Sequence, residues 1–451
     1  MTSLADEKSV TERLVERLSQ PIGLLDRQRA ARHLVDWIGC AVIGRTTETG
    51  RLITAEAEPR DKGAAQLFGP VTTDPVTAAF ALGGLGSILE MDDVHRAALL
   101  HPGPVVVPAA LAVATDATPA DAFLDAIIRG YEAMIRLGRA VGAGHYAHFH
   151  NTSTCGGFGA AVAAGSLLRL DAAGLAYALG NAGSLSAGLW QCRNEPVMTK
   201  TLHVAEAARR GVTAARLAAR GFTGPRLILE GPQGFFAGLC PGASAEDILA
   251  GSDAGWLLAE TSFKPWPACR HAHAAIDAAL ALRDELGGRP IAAVAIDTYA
   301  DAKLFCDRAR PETTLQAKFS LQHAVAVALQ DGAPPLDAFD LSALDRPEIA
   351  ALRERTTVTV SDAFTAPYPA HFGSAVAVTL QSGETLSRSV ADAWGDSENP
   401  ISDAALYSKA QDLMRAAGLA PECADALIAA ALGLAEGGTL GTLRHAMAKA
   451  P

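Results

Sequence analysis

The fold is decided by the stretch Phe263-Lys264-Pro265-Trp266-Pro267-Ala268-Cys269-Arg270-His271-Ala272-His273, because the pattern of the chain changes there. Before it, one helical pattern follows another. After it, short runs of β-branched residues predict strands, and helical patterns return from Ser402. We therefore expect a mainly α protein, with residues 1–266 and 395–451 forming one large all-helical domain. Residues 267–394 are expected to form a smaller, inserted α+β lid domain.

Apolar spacing and terminal residues predict the individual elements. Helices are expected at residues 24–42, 76–89 and 318–329, from Pro119, after an Asp171 cap, from Lys200 to Ala219, and near the end after a Thr439 cap. Strands are expected at residues 292–299, 356–360, 375–380 and 385–390, the last two joined as a hairpin at Ser382-Gly383.

Composition excludes several classes of protein. The chain of 451 residues has 49% hydrophobic residues and a net charge of -11, so it can bury a large core and offers no global attraction to nucleic acid or an anionic membrane. Its seven cysteines are widely spaced without a CxxC motif, which indicates reduced thiols. Residues 1–18 lack the apolar segment typical of a signal peptide, and no apolar run is long enough for a transmembrane helix.

Four polar islands interrupt the apolar sequence. The first contains Glu90, Asp92, Asp93, His95 and His101, and its acids follow a predicted helix, where the helix dipole disfavours them. This placement indicates a functional site, although a solvated loop at the helix end would give the same pattern. Carboxylates mixed with imidazoles would also suit a metal ion, but no recognised metal-binding motif supports that interpretation.

The second island leads into a Gly- and Ala-rich helix, and the third opens another helix. His150 precedes Thr152 and Ser153, whose hydroxyl groups, with the free N–H groups of a helix start, favour binding of a carboxylate. The alternative is a buried histidine with satisfied hydrogen bonds. Lys200 and His203 share one face of the next helix start, where an anionic ligand would explain the cations and a solvated first turn is the alternative. The glycines after Ser153 do not follow a strand, which argues against a dinucleotide site and favours close helix packing.

The fourth island is the fold-deciding stretch itself. We expect it where the helical part meets the inserted domain, a common place for a cleft. Cys269 is a candidate thiol, but a buried inert thiol is the simpler interpretation. A serine hydrolase is excluded, because Gly183-Ser184-Leu185-Ser186-Ala187-Gly188 does not match GxSxG.

The four islands, in this order, resemble the MmgE/PrpD family, which includes 2-methylcitrate dehydratases, cis-aconitate decarboxylases and iminodisuccinate epimerases. The resemblance covers most of the chain. It is carried by Glu90-Met91-Asp92-Asp93 with His101-Pro102, by His150-Asn151-Thr152-Ser153, by Lys200-Thr201-Leu202-His203 and by Lys264-Pro265-Trp266-Pro267-Ala268-Cys269. It implies a cytoplasmic homodimer that needs no cofactor and no metal. Three positions depart from the family pattern: Glu90 stands where Asp is common, Val94 where decarboxylases have Thr, and His323 where they have Tyr.

The resemblance implies proton abstraction next to a carboxylate of a small di- or tricarboxylate. Loss of water, as in a 2-methylcitrate dehydratase, is the first expectation, followed by epimerisation and then by decarboxylation. The expected catalytic residues are His101, His150, Lys200, Glu90 and His323, and the expected substrate-binding residues are Asp93, Thr152, Ser153, His203, Lys264 and Arg270. A metal-dependent hydrolase that uses Asp92, Asp93, His95 and His101 is the alternative from another class, and a non-catalytic binding protein is disfavoured by the density of acid and base groups.

Overall fold

The structure is a computed structural model that describes residues 8–57, 59, 63–252 and 254–450. The described chain divides into two compact units. Unit 1 comprises the residues up to Ile88, Asp92–Thr261 and the residues from Ser402 onward. Unit 2 comprises Leu89–Met91 and Ser262–Ile401. Each unit has its own core of buried apolar side chains.

Unit 1 is built almost entirely from helices, with one short two-stranded ribbon. Its N-terminal helices are α1 (Val10–Leu18), α2 (Leu24–Gly44), α3 (Glu48–Ala55), α4 (Pro75–Leu85), α5 (Gly103–Val113), α6 (Ala120–Ala140), α7 (Gly142–Tyr146), α8 (Asn151–Leu167), α9 (Ala172–Ser184), α10 (Thr199–Ala218) and α11 (Phe235–Leu239). Strands β1 (Ala65–Gln66) and β2 (Thr72–Thr73) pair antiparallel. The C-terminal helices α19 (Asp403–Ala416), α20 (Pro421–Gly433) and α21 (Gly441–Lys449) complete this unit.

Unit 2 combines helices with a mixed four-stranded sheet in the order β4-β3-β5-β6. Strand β3 (Ile291–Thr298) pairs parallel with β4 (Thr356–Val360) and antiparallel with β5 (Ser374–Leu380), which forms a hairpin with β6 (Thr385–Val390). Its helices are α12 (His273–Leu286), α13 (Ala300–Cys306), α14 (Thr314–Lys318), α15 (Leu321–Gln330), α16 (Leu341–Leu344), α17 (Pro347–Glu354) and α18 (Asp362–Thr365).

The predicted mainly helical chain with a small sheet is confirmed, and most predicted elements have the expected bounds. The Asp171 side chain caps α9 by accepting a hydrogen bond from the Gly174 N–H at 2.8 Å. At the predicted hairpin, Gly383 adopts a left-handed φ of 90°, which glycine reaches without steric cost. No helix in the described part of the chain combines the length and hydrophobicity needed to cross a bilayer.

Three predictions of helix ends are wrong. The helix predicted over residues 76–89 ends at Leu85, so Glu90 lies five residues beyond its last residue and not at the helix end. Thr439 does not cap the last helix, since α21 begins at Gly441 after Leu440 and has no side-chain cap. Thr439 instead pairs with Pro119 in an isolated antiparallel bridge, a long-range contact that the local sequence does not show. The helix predicted from Lys318 is split, because Lys318 ends α14 and the Ser320 side chain caps α15.

The glycines of α8 permit close packing of helices, as predicted. A Cβ atom placed on Gly159 would lie 2.7 Å from the Gly130 carbonyl oxygen and 2.7 Å from the Met134 Cβ, both on α6. Real Cβ atoms do not approach other atoms so closely, so α8 and α6 pack at a distance that only glycine allows. This packing fixes the helix whose first turn carries the residues of the second polar island.

Candidate active site

His101 lies in the loop before α5 with a proton fixed on one ring nitrogen. Its Nδ1 is 2.9 Å from the backbone carbonyl oxygen of Asp93 and 3.0 Å from the Asp92 carboxylate. Because a carbonyl oxygen only accepts hydrogen bonds, Nδ1 carries the hydrogen. In the neutral imidazole, Nε2 is then the unprotonated nitrogen. His101 therefore has the tautomer of a general base that accepts a proton at Nε2.

The Asp93 carboxylate is held by protein donors on both oxygens. The Tyr131 hydroxyl donates to Oδ2 at 2.6 Å, and the His33 Nδ1 lies 2.7 Å from the same oxygen. The Gly103 N–H at the start of α5 donates to Oδ1 at 2.9 Å. Burial, together with the negative charge of Asp93, raises the pKa of Tyr131 well above its ordinary value. These contacts favour an anchoring role for Asp93 over the substrate contact that we predicted.

His150 is the N-cap residue that immediately precedes α8, and it faces a second histidine. Its N–H donates to the Gly188 carbonyl at 2.9 Å, and its ring packs on Trp190 with 4.3 Å between ring centroids. The Nδ1 atoms of His150 and His203 are 3.3 Å apart. Two ring nitrogens at this distance share one hydrogen, so one donates and the other accepts. The pair can therefore pass a proton between its members.

His203 is held neutral by its surroundings. Burial, followed by the positive charges of Arg210 and Lys200, lowers the pKa of His203 to about 4. Lys200 lies in the first turn of α10, and its charge also acts on the Cys192 thiol. Burial raises the pKa of this thiol, and the positive charge of Lys200 lowers it by a smaller amount. The positive charge of Lys200 therefore reaches His203, and the anion site expected at this helix start stays a prediction.

The hydroxyl groups of Thr152 and Ser153 form hydrogen bonds with other residues of unit 1. The Thr152 hydroxyl accepts a hydrogen bond from the His101 backbone N–H at 3.1 Å, which joins the loop of His101 to the first turn of α8. The Ser153 hydroxyl accepts from Arg210 at 3.1 Å and lies 3.2 Å from the His203 carbonyl oxygen. Both residues thus hold catalytic candidates in place, and their predicted role in gripping substrate carboxylates stays a prediction.

Glu90 and Lys264 form a buried ion pair within unit 2. Their charged atoms are 3.5 Å apart, and both side chains are almost wholly buried. Glu90 adopts a left-handed φ of 58°, which costs a residue other than glycine about 1 kcal/mol or more. The Lys318 ammonium group donates to the neighbouring Leu89 carbonyl at 2.8 Å. A buried and strained ion pair of this kind is typical of a functional position.

Next along unit 2, Cys269, Arg270 and His271 are buried together. Arg270 forms an ion pair with Asp396, which also accepts from the Ser262 hydroxyl at 2.6 Å, so a structural contact is favoured over the predicted contact with substrate. Burial, followed by Arg270 and Lys264, lowers the pKa of His271 to about 3. Burial alone would raise the pKa of Cys269, but hydrogen bonding by the Cys306 thiol and the nearby Lys264 bring it below its ordinary value.

His323 is enclosed in the core of unit 2. Its Nε2 is 2.7 Å from the Ala338 carbonyl oxygen, and its Nδ1 is 3.2 Å from a guanidinium nitrogen of Arg353. The side chain is fully buried. Burial is the main cause that lowers the pKa of His323 to about 4. With both ring nitrogens engaged, His323 fits a structural role better than the proton donor that we predicted.

The alternative metal site does not assemble. Among the described residues, one group of three His, Cys, Asp or Glu side chains has ligand atoms within 4.8 Å of one another, and it consists of His371, Asp392 and Glu398. His95 is used otherwise: its Nδ1 accepts from the Ala98 N–H at 3.2 Å and its Nε2 lies 3.5 Å from Glu260. The arrangement of the first island thus favours proton transfer over metal binding.

Comparison with known proteins agrees with the order of the polar islands. The model of the MmgE/PrpD N-terminal domain matches residues 22–247, and the model of the MmgE/PrpD C-terminal domain matches residues 266–433. The chain belongs to the MmgE/PrpD family. The matched ranges contain all the residues that the sequence predicted for the site except Lys264, which lies between the two ranges.

Several curated members of the MmgE/PrpD family are similar to the chain over most of its length. The cis-aconitate decarboxylase of Homo sapiens is 26% identical over 431 residues, which cover 89% of this chain and 87% of the human protein. That of Mus musculus is 26% identical, covering 85% of this chain and 81% of the mouse protein. That of Aspergillus terreus is 25% identical, covering 80% of each. A lyase of the MmgE/PrpD type is therefore the family-level assignment.

Sequence reasoning missed several residues that shape this MmgE/PrpD site. Asp92 was considered only as a metal ligand, whereas it contacts His101. Arg210 follows His203 by seven positions and so shares its helix face, a spacing that would have revealed it. His33, Tyr131 and Trp190 carry no local signal, because each reaches the site from a distant segment of the chain.

Proposed function

We propose that the protein is a lyase that acts on a small polycarboxylate by moving a proton at a carbon next to a carboxylate group. The observation that carries this proposal is the His101 imidazole, whose Nδ1–H donates to the Asp93 backbone carbonyl, with the Asp92 carboxylate 3.0 Å away, so that Nε2 carries no hydrogen in the neutral ring. General acid–base catalysis of this kind contributes about 10²–10⁴-fold to a rate. Membership of the MmgE/PrpD family supports the same class of reaction.

Decarboxylation of cis-aconitate becomes the first candidate reaction, ahead of the dehydration that the sequence placed first. The human, mouse and Aspergillus terreus relatives are all cis-aconitate decarboxylases. In such a reaction the bond between a methylene carbon and its carboxylate breaks and CO₂ leaves. The electron pair of that bond forms a new C=C bond, and the displaced π pair takes one proton from an acid. Val94 and His323 depart from the decarboxylase pattern, so dehydration and epimerisation stay in the test.

Each catalytic candidate of unit 1 has a role in this scheme. In decarboxylation, one proton is needed, and His101 in its imidazolium form or the His150–His203 pair gives it to the carbon that receives the displaced π pair. In dehydration or epimerisation, His101 takes the proton from carbon through Nε2, and the His150–His203 pair supplies the proton to the leaving hydroxyl group or to the opposite face. Lys200 stabilises the negative charge that develops on the intermediate, because a fixed cation lowers the energy of an enolate-like anion. The positive charges of Lys200 and Arg210, which already lower the pKa of His203, also favour an anionic substrate.

Glu90 and Lys264 of unit 2 are proposed to contribute to substrate binding. The Lys264 ammonium group lies 3.5 Å from the Glu90 carboxylate, and a carboxylate of the substrate would share this cation with Glu90. The strained backbone of Glu90 fixes the direction of this pair. We keep the family-based expectation that no metal or organic cofactor takes part.

The test is proton NMR in D₂O with cis-aconitate, 2-methylcitrate and an aspartate-derived iminodiacid, each before and after treatment with a chelator. A new vinyl CH₂ pair from cis-aconitate, with deuterium in one CHD group, would establish decarboxylation. Replacement of the methyl doublet of 2-methylcitrate by a downfield singlet, from a methyl group on a fully substituted C=C bond, would establish dehydration. Deuterium uptake without net product would establish epimerisation. The proposal is contradicted if none of the acids gives product or takes up deuterium, or if the chelator abolishes the reaction.

The family resemblance also leads us to expect a homodimer. Light scattering coupled to size-exclusion chromatography should give about twice the 46.6 kDa mass of the chain. A mass of a single chain at micromolar concentration would contradict this expectation.

A further inference from the structure

Two neighbouring aspartates on the loop before α5 have separate tasks. The Asp93 carboxylate is bound by Tyr131, His33 and the Gly103 N–H, so only its backbone carbonyl reaches His101. The Asp92 carboxylate, in contrast, lies 3.0 Å from the His101 Nδ1. The side chain of Asp92 is buried, with 2% of its surface exposed. A carboxylate buried so deeply is costly unless it stabilises a hydrogen bond or a positive charge.

The charges around these aspartates form a buried array that extends across unit 1. Asp36 and His33 on α2, Tyr131 on α6 and Lys409 on α19 surround the two carboxylates. The negative charge of Asp92 raises the pKa of both Tyr131 and Lys409. Burial has the larger effect on each group, and it raises the pKa of Tyr131 but lowers that of Lys409. Asp92 therefore belongs to a fixed electrostatic framework and is held in its contact with His101.

We propose that Asp92 is a positioning residue that acts through His101. The Asp93 carbonyl accepts the hydrogen bond from Nδ1–H, and the negative charge of Asp92, 3.0 Å from Nδ1, favours the hydrogen on that nitrogen and stabilises the imidazolium that exists whenever Nε2 also carries a proton. The Nδ1–H hydrogen stays on the ring throughout, and the proton at Nε2 later returns to a substrate atom. This inference rests on the proposed function, because it concerns the proton that His101 moves. The position of the hydrogen on the His101 ring, however, can be measured in the protein without substrate.

The first measurement tests the tautomer without any substrate. Long-range ¹H–¹⁵N NMR of the whole protein labelled with ¹⁵N-histidine separates protonated from unprotonated ring nitrogens, and the His101 signals are assigned with His101→Gln. The expected result is a protonated Nδ1 and an unprotonated Nε2 at neutral pH. In Asp92→Asn the share of the Nε2–H tautomer should rise, because the negative charge that favours hydrogen on Nδ1 is lost and only the Asp93 carbonyl still favours it. A wild-type His101 with hydrogen on Nε2, or an Asp92→Asn tautomer unchanged from wild type, would overturn the proposal.

The second measurement uses turnover with the acid that the NMR panel identifies, beginning with cis-aconitate. Asp92→Asn should lower kcat by about 10²–10⁴-fold and change KM less than threefold, because the charge acts on the proton-transfer step. The matched control is Asp93→Asn, which removes the same charge one residue away. It should lower the Tm by more than Asp92→Asn does, because Asp93 anchors α2, α5 and α6.

The two measurements separate a failure of this inference from a failure of the proposed function. If the wild-type protein acts on none of the acids, the proposed function fails, and the tautomer measurement still decides the role of Asp92. If the wild type is active and Asp92→Asn keeps its kcat, the positioning role is wrong while the function stands.

Discussion

At the scale of single residues, identical side chains differ in role because of what surrounds them. His145, in the second polar island, has its Nδ1 2.8 Å from the Leu239 carbonyl and its Nε2 2.8 Å from the Thr154 hydroxyl. Both nitrogens are thus occupied, and burial lowers the pKa of His145. The ring contacts of His101, by contrast, both use Nδ1. The histidines that can exchange protons are therefore distinguished by their partners and not by their position in a motif.

The residue-scale prediction for catalysis concerns Lys200. Lys200→Ala should lower turnover by about 100-fold, because the intermediate loses the cation that balances its negative charge. The Tm should stay within about 2 °C of the wild type, since the side chain lies in the first turn of α10 and is only half-buried. The measurement is steady-state kinetics together with thermal unfolding.

A matched control for Lys200 is Arg209→Ala, which removes a positive charge from an exposed position of the same helix. It should keep the turnover of the wild type within about twofold. If Lys200→Ala is fully active, or if both variants lose the same activity, the assignment of Lys200 is wrong.

The prediction for pH dependence concerns His323, whose pKa in the fold is about 4 because of burial. An unfolded histidine has a pKa near 6.5, so between about pH 6.5 and pH 4 the unfolded chain binds more protons than the folded one. Stability is therefore lost as the pH falls through this window. His323→Gln removes that contribution, and the decrease in Tm from pH 7 to pH 5 should be smaller than in the wild type.

The control for His323 is His445→Gln, which changes an exposed histidine of α21. Its decrease in Tm over the same pH range should match that of the wild type. A His323→Gln protein that loses as much Tm as the wild type would contradict the predicted linkage. If the variant keeps its Tm at every pH and loses turnover instead, the proton-donor role expected from the sequence would be restored.

At the scale of elements, α8 connects the site to the core. Its first turn carries His150, Thr152 and Ser153, and its later turns carry small residues that allow close contact with α6 and α10. Close packing removes the freedom of the helix to rotate or slide, so the side chains of the first turn keep fixed positions. A catalytic pair such as His150 and His203 needs this rigidity, since its two nitrogens belong to different helices.

The element-scale prediction is that Gly159→Ala destabilises the protein by about 1–3 kcal/mol, because the new methyl group would overlap the α6 backbone. Gly157→Ala is the control on the same helix. Its Cβ would lie 3.8 Å from the nearest atom, an ordinary contact, and alanine favours a helix by up to about 1 kcal/mol relative to glycine. Chemical denaturation measures the free energy of unfolding of the two variants. Equal values would show that the close contact of Gly159 with α6 does not exclude an alanine side chain.

At the scale of the whole molecule, unit 1 is closed by contacts between the two ends of the chain. Lys409 on α19 donates to Asp36 on α2 at 2.6 Å, and both side chains are buried. Burial opposes the charge of both groups and raises the pKa of Asp36, whereas at Lys409 the attraction of nearby negative groups, Asp36 foremost, outweighs burial and raises the pKa of its ammonium group. The ion pair fixes the C-terminal helix onto the helix that also carries His33.

The molecule-scale prediction is that Lys409→Met lowers the stability of the protein by about 3–5 kcal/mol, because Asp36 is left as a buried charge without its cation. Lys449→Met, at an exposed position, should have almost no effect. Adding Asp36→Leu to Lys409→Met should recover part of the loss, since an apolar pair avoids the cost of a buried charge. A double variant less stable than Lys409→Met would contradict the ion-pair interpretation.

The sequence determined the order and type of the elements in this protein, because helix and strand periodicity are local properties. The apolar spacing of residues 24–42 predicted α2, and the alternation of residues 375–390 predicted the hairpin of β5 and β6. It also indicated the polar islands, because clustered ionisable residues stand out in an apolar chain. The family pattern added their chemistry.

Only the tertiary structure decided which side chain of an island does what. Asp92 and Asp93 have the same local pattern, and they differ because His33 and Tyr131 arrive from helices 60 and 38 residues away to bind Asp93. The same holds for Thr439, which pairs with Pro119 and caps no helix. Contacts between distant segments depend on how helices pack against one another, and no short window of sequence contains that information.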